Sequence, residues 1–573
     1  MASIFDDPAT FADDALYGFV AANARHVARV DGGVLRSTEM TSGQVAVVIG
    51  GGSGHYPAFA GLVGPGLAAA AACGNIFSSP AAGQVYRVAK AAQTGGGVLL
   101  SYGNYAGDVL HFGQAQQRLR AEGIDTRTVL VTDDIASAPV ESTEKRRGIA
   151  GDLTVFKIAG AAAEAGADLD EVERLARRAN DRTRSLGVAF AGCTLPGSDA
   201  PLFTVPDGKM ALGLGIHGEP GISEHDMPTA SELADLLVDT LLGERPDGAG
   251  NAVVPILNGL GTVKYDELFL LYGKIETRLR AAGLTVVEPE CGELVTSLDM
   301  SGLSLTLFWP DDELASLWSA PADTPAFRRG NTDPRPLRDT TAIATESAVE
   351  EQGTPASIRA GQLAGAVLRT VARVVADNED EWGRLDAVAG DGDHGIGMRR
   401  GADAADAAAR TAVEAGAGVR AVLTAAGDAW SERAGGTSGA LWGAGLIAAG
   451  TALGNAESYG PSEVAAAVSA FATAIRELGG AQPGDKTMVD ALFPFIETLE
   501  RSTEAGTDLA SALSDAAAAA VRAAQATADL RPKLGRARPL AEKSVGHADP
   551  GATSFAQIAA TLSDALPAIS EGK

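Results

Sequence analysis

The chain changes character at one place. Between Ser319 and Thr340 lie Pro321, Pro325, Pro334 and Pro336, with Arg328, Arg329 and Gly330 among them. Proline fixes φ and removes a backbone donor, so this density predicts an extended linker rather than helix or strand. Before it, short β-rich runs alternate with Ala- and charge-rich helical stretches; after it, strand signals nearly vanish. The expected organisation is an α/β region at 1–320, a linker at 321–345 and an all-helical domain at 346–573. A chain of 573 residues also exceeds what one hydrophobic core normally supports.

In the first region the candidate strands are Val45–Ile49, Gly97–Ser101, Thr128–Thr132, Val253–Leu257 and Leu284–Glu288, many followed closely by Gly, Asn or Asp. Leu153–Arg184 carries a helical pattern. The alternation argues for an α/β architecture. In the second region Ala356–Asp377, Gly401–Ala415, Val419–Arg433, Pro461–Leu478, Met488–Ser502 and Asp508–Ala528 are helix-periodic and mostly Ala-rich. Tracts such as Ala516–Ala520 read as close helix packing, because Val and Leu recur around them.

Seventy-three acidic residues against 46 basic ones give a formal net charge of −27. That field opposes nucleic acid and anionic membranes. It also opposes a phosphorylated ligand unless metal ions or a local basic and backbone-amide pocket offset it. Cys73, Cys193 and Cys291 are sparse and show no CxxC spacing, so neither a disulfide framework nor a zinc site is expected. The opening MASIFDDPATFADD is acidic where a signal peptide is basic and then apolar. No apolar run reaches the ~18–20 residues of a membrane helix, and a cytoplasmic location is expected.

Several motifs can carry chemistry. VAVVIGGGSGHYPAF places Gly50, Gly51, Gly52, Ser53, Gly54 and His55 directly after a strand, where glycines let a backbone approach a ligand. The dinucleotide spacing fails, since the third glycine of GxGxxG falls on His55, and no GK[ST] follows for a phosphate-binding loop. SYGNYAGDVLHF puts Asp108 just beyond a strand, and GLGIHGEPGI isolates His217 among glycines. In the helical half, LDAVAGDGDHGIGMRRG gathers Asp386, Asp391 and Asp393. Carboxylates on a glycine-rich loop suit Mg²⁺ and suit zinc poorly. An EF-hand is excluded because position 12, counted from Asp391, is Ala402. ERAGGTSGALWG presents Thr437 and Ser438 before another helix, a possible phosphate cradle. Near the end, Lys533, Arg536, Arg538 and Lys543 turn the local charge positive beside His547, Asp549 and Gly551.

GGGSGHYPAFAGLVGPG, NIFSSP, NYAGD, GIHGEPG, LDAVAGDGDHG, GGTSGALWG, PGDKTMVDAL and GHADPGA occur in the order seen in fused dihydroxyacetone kinases. The chain resembles that family over roughly residues 10 to 570, with a ketose-binding domain and a nucleotide domain. The resemblance implies that His217 adds covalently to the ketone carbon as a hemiaminal. It implies that Asp108 takes the proton of the terminal hydroxyl and that His55 assists as hydrogen-bond partner and acid–base group. Gly52, Ser53 and Gly54, together with Gly103, would line the ketose. In the helical domain the family forms a ring of eight helices with the nucleotide at one end. Asp386, Asp391 and Asp393 would hold two Mg²⁺ ions on the phosphates of ATP. His394, Gly395, Ile396, Gly397, Thr437, Ser438, Gly479, Met488, Arg536, Asp549, Pro550 and Gly551 would line the nucleotide. A homodimer is the family expectation.

The chain also departs from the family. Where the family reads GHEPAHAG, this chain has His55, Tyr56, Pro57, Ala58 and Phe59; where it has a lysine before NYTGD, this chain has Gly103; and its GRASYL becomes Gly535, Arg536, Ala537, Arg538, Pro539, Leu540. Loss of the lysine is read as making room at the pocket rim for a four-carbon ketose, erythrulose, with the D isomer preferred to the L, ahead of dihydroxyacetone. Three alternatives stay open: phosphoenolpyruvate-linked phosphotransfer, a non-catalytic ketose-binding regulator, and a lyase producing a cyclic flavin nucleotide.

Overall fold

The computed structural model describes residues 4–219, 221–333, 335–336, 353–390, 392–534 and 541–570. It divides into two compact units, Met1–Thr345 and Glu346–Lys573. The first is α/β and the second helical throughout its described residues.

Two sheets build the first unit. One has the strand order Val27–Val30, Gly33–Arg36, Ala70–Ile76, Ala46–Ser53, Val98–Gly103, Thr126–Val131. Its last four strands run parallel, and an antiparallel hairpin closes the edge. Ala46–Ser53 is buried at every position except Ser53, as a parallel strand covered on both faces must be. Separate apolar clusters lie on its two sides, one including Leu153, Phe156 and Val172, the other Val85, Phe112 and Leu119. The second sheet is mixed. Its order is Thr285–Val286, Ala252–Gly259, Ser301–Phe308, Thr183–Ala191, Lys209–Leu212, Ser223–Asp226, and Glu290–Gly292 also pairs with Ala252–Gly259. Helices Ala230–Leu242 and Tyr265–Ala281 share a core with it.

Every expected strand falls on an observed one. The helical stretch expected at Leu153–Arg184 is two helices, Asp152–Glu164 and Leu169–Asp181, and strand Thr183–Ala191 begins before its end. Asp168 starts the second helix by accepting the Glu171 amide. The expected linker also needs correction at its start. Ala322–Asp323 and Arg328–Arg329 pair as a hairpin, Ala322 and Phe327 enter the core, and the Arg329 guanidinium lies 4.6 Å from the Trp318 ring centroid. Proline density here marks turns in packed chain, not a departure from it. Residues 337–345 lie outside the described residues.

Helix Asp152–Glu164 crosses the backbone at Leu67 so closely that a Cβ on Gly160 would sit 2.0 Å from the Leu67 carbonyl oxygen. Gly160→Ala is therefore expected to cost about 1–3 kcal/mol, the usual range for overpacking, read as a lowered unfolding midpoint of the first unit.

The second unit is a ring of eight long helices: Pro355–Asp386, His394–Glu414, Val419–Ala434, Gly436–Leu453, Pro461–Gly479, Val489–Glu504, Leu509–Ala526 and Pro550–Ser570. Each packs on the next, and the last packs on the first. Small residues make this closeness possible: a Cβ on Gly443 would lie 2.6 Å from the Gly427 carbonyl oxygen, and Ala516, Ala517 and Ala520 are buried. Neighbours in sequence run antiparallel, so the second, fourth, sixth and eighth helices all begin at one end of the ring. That end collects the positive poles of four helix dipoles.

Candidate active site

His55 follows the C-terminal end of strand Ala46–Ser53, and Asp108 stands in the first turn of helix Ala106–Ala121, just after the neighbouring parallel strand Val98–Gly103. Ligands of α/β sheets bind at such carboxyl ends. His217 comes from the other sheet, on the turn after Lys209–Leu212. Gly218 adopts φ +84° there, and the Gly215 amide donates to the Glu219 carbonyl, folding the loop back on itself. An apolar bed of Ala58, Ile149, Ala189, Cys193, Ile216, Val295 and Met300 joins the sheets beneath.

The two histidines meet. His55 Nε2 lies 2.9 Å from His217 Nε2. His55 is almost fully buried, its Nδ1 2.7 Å from the Thr296 carbonyl oxygen and its ring stacked on Phe77 at 4.9 Å. His217 keeps part of its surface exposed. Its Nδ1 lies 3.1 Å from Glu219 Oε1, its backbone N–H donates to Glu219 Oε2 at 3.0 Å, and the Tyr105 ring stands edge-on to it at 4.7 Å. Arg147 holds Glu219 from behind at 3.7 Å while pairing with Asp134 at 2.8 Å. Burial, then the charge of His217, pushes His55 down to about 3. Burial pushes the Asp108 carboxyl up to about 6, against a hydrogen bond from Ser79 at 2.7 Å and the charge of His217.

The structure thus brings His55, Asp108 and His217 to one place. The glycine loop plays a more structural part. The Ser53 hydroxyl donates to the Gly74 carbonyl at 2.6 Å, and a Cβ on Gly52 would lie 2.7 Å from the Ser78 amide nitrogen. The reading of Gly103 as making room at the pocket rim also needs correction. A Cβ on Gly103 would be 3.2 Å from both the Gly148 carbonyl oxygen and Tyr105 Cε2, so the space beside it is taken up by the chain itself. The Phe59 ring lies against Gly51 and faces Phe156, while half-exposed Tyr56 packs on Phe19. Sequence reasoning passed over Ser79, Tyr105, Arg147, Glu219 and Thr296. Of these, Ser79, Tyr105 and Glu219 stand within motifs it had singled out.

In the helical unit the ring end described above gathers most of the residues expected there. Asp386 ends the first helix and Asp393 immediately precedes the second. The Asp386 carboxylate accepts the His394 amide at 3.3 Å, and a Cβ on Gly390 would fall 2.3 Å from its Oδ1, so the loop is cut to admit that carboxylate. Burial and then Asp386 raise the Asp393 carboxyl above its usual range. His394, first in its helix, meets Ser554 Oγ at 3.0 Å, and Gly551 lies beside Met488. Ile396 stands exposed in the same helical turn as Gly395 and Gly397. Thr437 and Ser438 open the fourth helix, and Gly479 closes the fifth against Leu441. Asp549 caps the last helix, which starts at Pro550, by accepting the Ala552 amide at 2.7 Å. Desolvation pushes its carboxyl up to about 7. The Lys486 ammonium, missed by sequence reasoning, donates to the Ser544 and Leu530 carbonyls.

Asp391 and Arg536 lie outside the described residues. Among the described residues no three His, Cys, Asp or Glu side chains come together closely enough to hold a metal. The pair that is described, Asp386 and Asp393, offers only oxygen donors, a set that fits Mg²⁺. No helix of the described residues is long and apolar enough to cross a membrane, and the three cysteines are free.

A histidine pair and a carboxylate at the strand ends of one unit, and a helix-dipole cradle beside paired carboxylates in the other, define a two-part phosphotransferase. Residues 17–326 match the Dak1 domain and residues 388–564 the DAK2 domain. An L-erythrulose kinase of Pectobacterium atrosepticum is 55% identical over 99% of this chain and 97% of its own. A D-erythrulose kinase of Mycolicibacterium smegmatis is 54% identical over the whole of both chains. The crystal structure of the dihydroxyacetone kinase from C. freundii in complex with AMP-PNP and Mg²⁺ aligns with a TM-score of 0.53 at 29% identity, over 98% of this chain and 99% of that one. This chain belongs to the single-chain dihydroxyacetone kinase family.

Proposed function

We propose that the chain transfers the terminal phosphoryl group of ATP to a terminal hydroxyl of erythrulose or dihydroxyacetone held as a hemiaminal on His217. The observation that carries this reading is the meeting of His217 Nε2 with His55 Nε2 at 2.9 Å. A nucleophile and an acid–base group there share one point of attack, with Asp108 close enough to feel the charge of His217. An imidazole that must add to a carbonyl separates a ketose from glycerol, which has none. Asp108, kept dry and bonded to Ser79, receives the hydroxyl proton. Asp386 and Asp393, with Asp391, would hold two Mg²⁺ ions, which would neutralise phosphate charge; the four helix starts would receive the remaining negative charge. Support for erythrulose comes from the relatives named above, since the space beside Gly103 is filled. One of those relatives is an L-erythrulose kinase and the other a D-erythrulose kinase, at nearly equal identity to this chain, so the isomer is assigned by assay.

A coupled kinase assay with Mg²⁺-ATP and D-erythrulose, L-erythrulose, dihydroxyacetone or glycerol tests the reading. Turnover of at least one ketose and none of glycerol is expected; no turnover of any ketose would favour the non-catalytic alternative. The same assay run against pH should show an acid limb in kcat/KM near pH 6. Asp108 acts as a base only when ionised, and burial places its carboxyl at about 6. Activity should therefore fall about tenfold per pH unit below that value. Asp108→Asn is expected to lower kcat by about 10²- to 10⁴-fold and to remove the limb.

A further inference from the structure

Two neutral imidazoles cannot make the contact seen between His55 and His217. The Nδ1 of His55 faces a carbonyl oxygen, that of Thr296, and the Nδ1 of His217 faces a carboxylate oxygen, that of Glu219. Both partners only accept, so both Nδ1 atoms carry hydrogen. In a neutral ring the other nitrogen is then a bare lone pair. Two lone pairs would face each other at 2.9 Å and repel. The contact is a hydrogen bond only if one further proton lies between the Nε2 atoms.

The surroundings pay for that positive charge. Glu219 grips His217 at both its ring and its backbone N–H. Its carboxylate occupies space that a Cβ on Gly215 would invade, 2.1 Å from Oε2. Although burial opposes it, His217 and Arg147 hold the Glu219 carboxyl down at about 2. Arg147 is itself matched by Asp134. The other ionisable groups described nearby are Asp108, bonded to Ser79, Asp152, buried and raised well above its usual range, Tyr105, whose phenol is likewise pushed well above its usual range, and Cys193, whose thiol is pushed up by burial.

We propose that Glu219 is the positioning residue and counter-charge for a proton stored between His55 and His217, and that this proton becomes the hydroxyl proton of the ketose adduct. The proposal rests on the hemiaminal reading of His217 and deepens it. In the step, the shared proton moves onto His55 Nε2, freeing the lone pair of His217 Nε2. The N–C bond forms as the carbonyl π bond breaks, and its oxygen takes the proton from His55. His55 ends neutral with hydrogen on Nδ1. His217 ends as an alkylated imidazolium with hydrogen on Nδ1, still opposed by Glu219. The charge is one positive before and after, so no proton enters or leaves the protein.

Calorimetry of ketose binding to the full chain, without nucleotide and at neutral pH, tests this in two buffers of different ionisation enthalpy. Adduct formation is followed in parallel by the ¹³C resonance of dihydroxyacetone labelled at the carbonyl carbon. The expected result is an adduct with the same binding heat in both buffers. Glu219→Gln keeps an acceptor for Nδ1–H but removes the charge; it should bind at least about tenfold more weakly and take up about one proton per adduct. An adduct accompanied by uptake of about one proton in the unaltered protein would overturn the stored proton while leaving the hemiaminal standing. Absence of any adduct would overturn both. Because the deciding measurement uses the unaltered chain, it does not depend on the variant folding.

Discussion

His217→Ala is expected to lower kcat/KM for any ketose by about 1,000-fold or more, equivalent to about 4 kcal/mol of transition-state stabilisation, while ATP still binds. The expectation follows from what the imidazole touches. Its Nε2 lies against His55 and belongs to a partly exposed ring. Removing the ring leaves Asp108 with a base's environment but no anchored substrate. The variant should also lose its ketose selectivity, because without the nucleophile proposed at His217 the site has no test for a carbonyl. Tight ATP binding in the same sample, measured by equilibrium titration, shows that the loss is local. A variant retaining more than about a tenth of the activity would mean that the ketose is held by hydrogen bonds alone, and that the histidine pair serves only to bind.

Asp393→Asn should abolish turnover with Mg²⁺-ATP, by about 10³-fold or more given how far phosphoryl transfer depends on charge neutralisation, and yet raise the unfolding midpoint of the metal-free protein. The two effects have one cause. Asp393 is partly screened from water and stands in the negative field of Asp386, which together hold its carboxyl above the usual range against the charge of Arg400, an arrangement that disfavours the folded state when both carboxylates are ionised. The pair persists across a loop trimmed at Gly390 to admit the Asp386 carboxylate. Neutralising one partner relieves the repulsion and would remove one of the proposed metal donors in the same stroke. A residue kept only for structure would show the reverse, lower stability with activity retained. Thermal unfolding with and without Mg²⁺, beside the coupled assay, distinguishes them. Loss of both stability and activity would mean that the Asp386–Asp393 loop is a fold element rather than a metal site.

How much of this was legible in the sequence depended on how local the cause was. The strand feeding His55 shows in its own composition, as do six of the eight long helices, whose apolar periodicity survives an Ala-rich background. Strand Ala70–Ile76, AAACGNI, does not. Its residues have weak β-propensity, and the strand forms because burial between two neighbours overrides that preference. Strand Thr183–Ala191 was hidden because the helical pattern before it runs without a visible break into Thr183 and Arg184. The breaks are supplied by the turn at Ala165–Asp168 and by pairing with Ser301–Phe308, more than a hundred residues away. The proline-rich segment misled in the other direction, because composition shows where a chain turns and not whether its Phe327 finds a core.

The site divides along the same line. His55, Asp108 and His217 stand out as reactive groups among glycines, and Glu219 is only two residues beyond His217. The partner that fixes the His55 tautomer is a backbone carbonyl, at Thr296, 241 residues away. No side-chain signal could have named it. Gly103 shows the opposite error. Absence of a side chain suggested open space, whereas the fold brings the Gly148 backbone and the Tyr105 ring to that position.

The most direct test of the central claim is the carbonyl-carbon resonance of ¹³C-labelled dihydroxyacetone mixed with the full chain in the absence of nucleotide. The ketone signal should move to the tetrahedral range on binding to the unaltered protein and stay unmoved with His217→Ala. A bound ligand that keeps its ketone resonance in the unaltered protein would contradict covalent capture by His217.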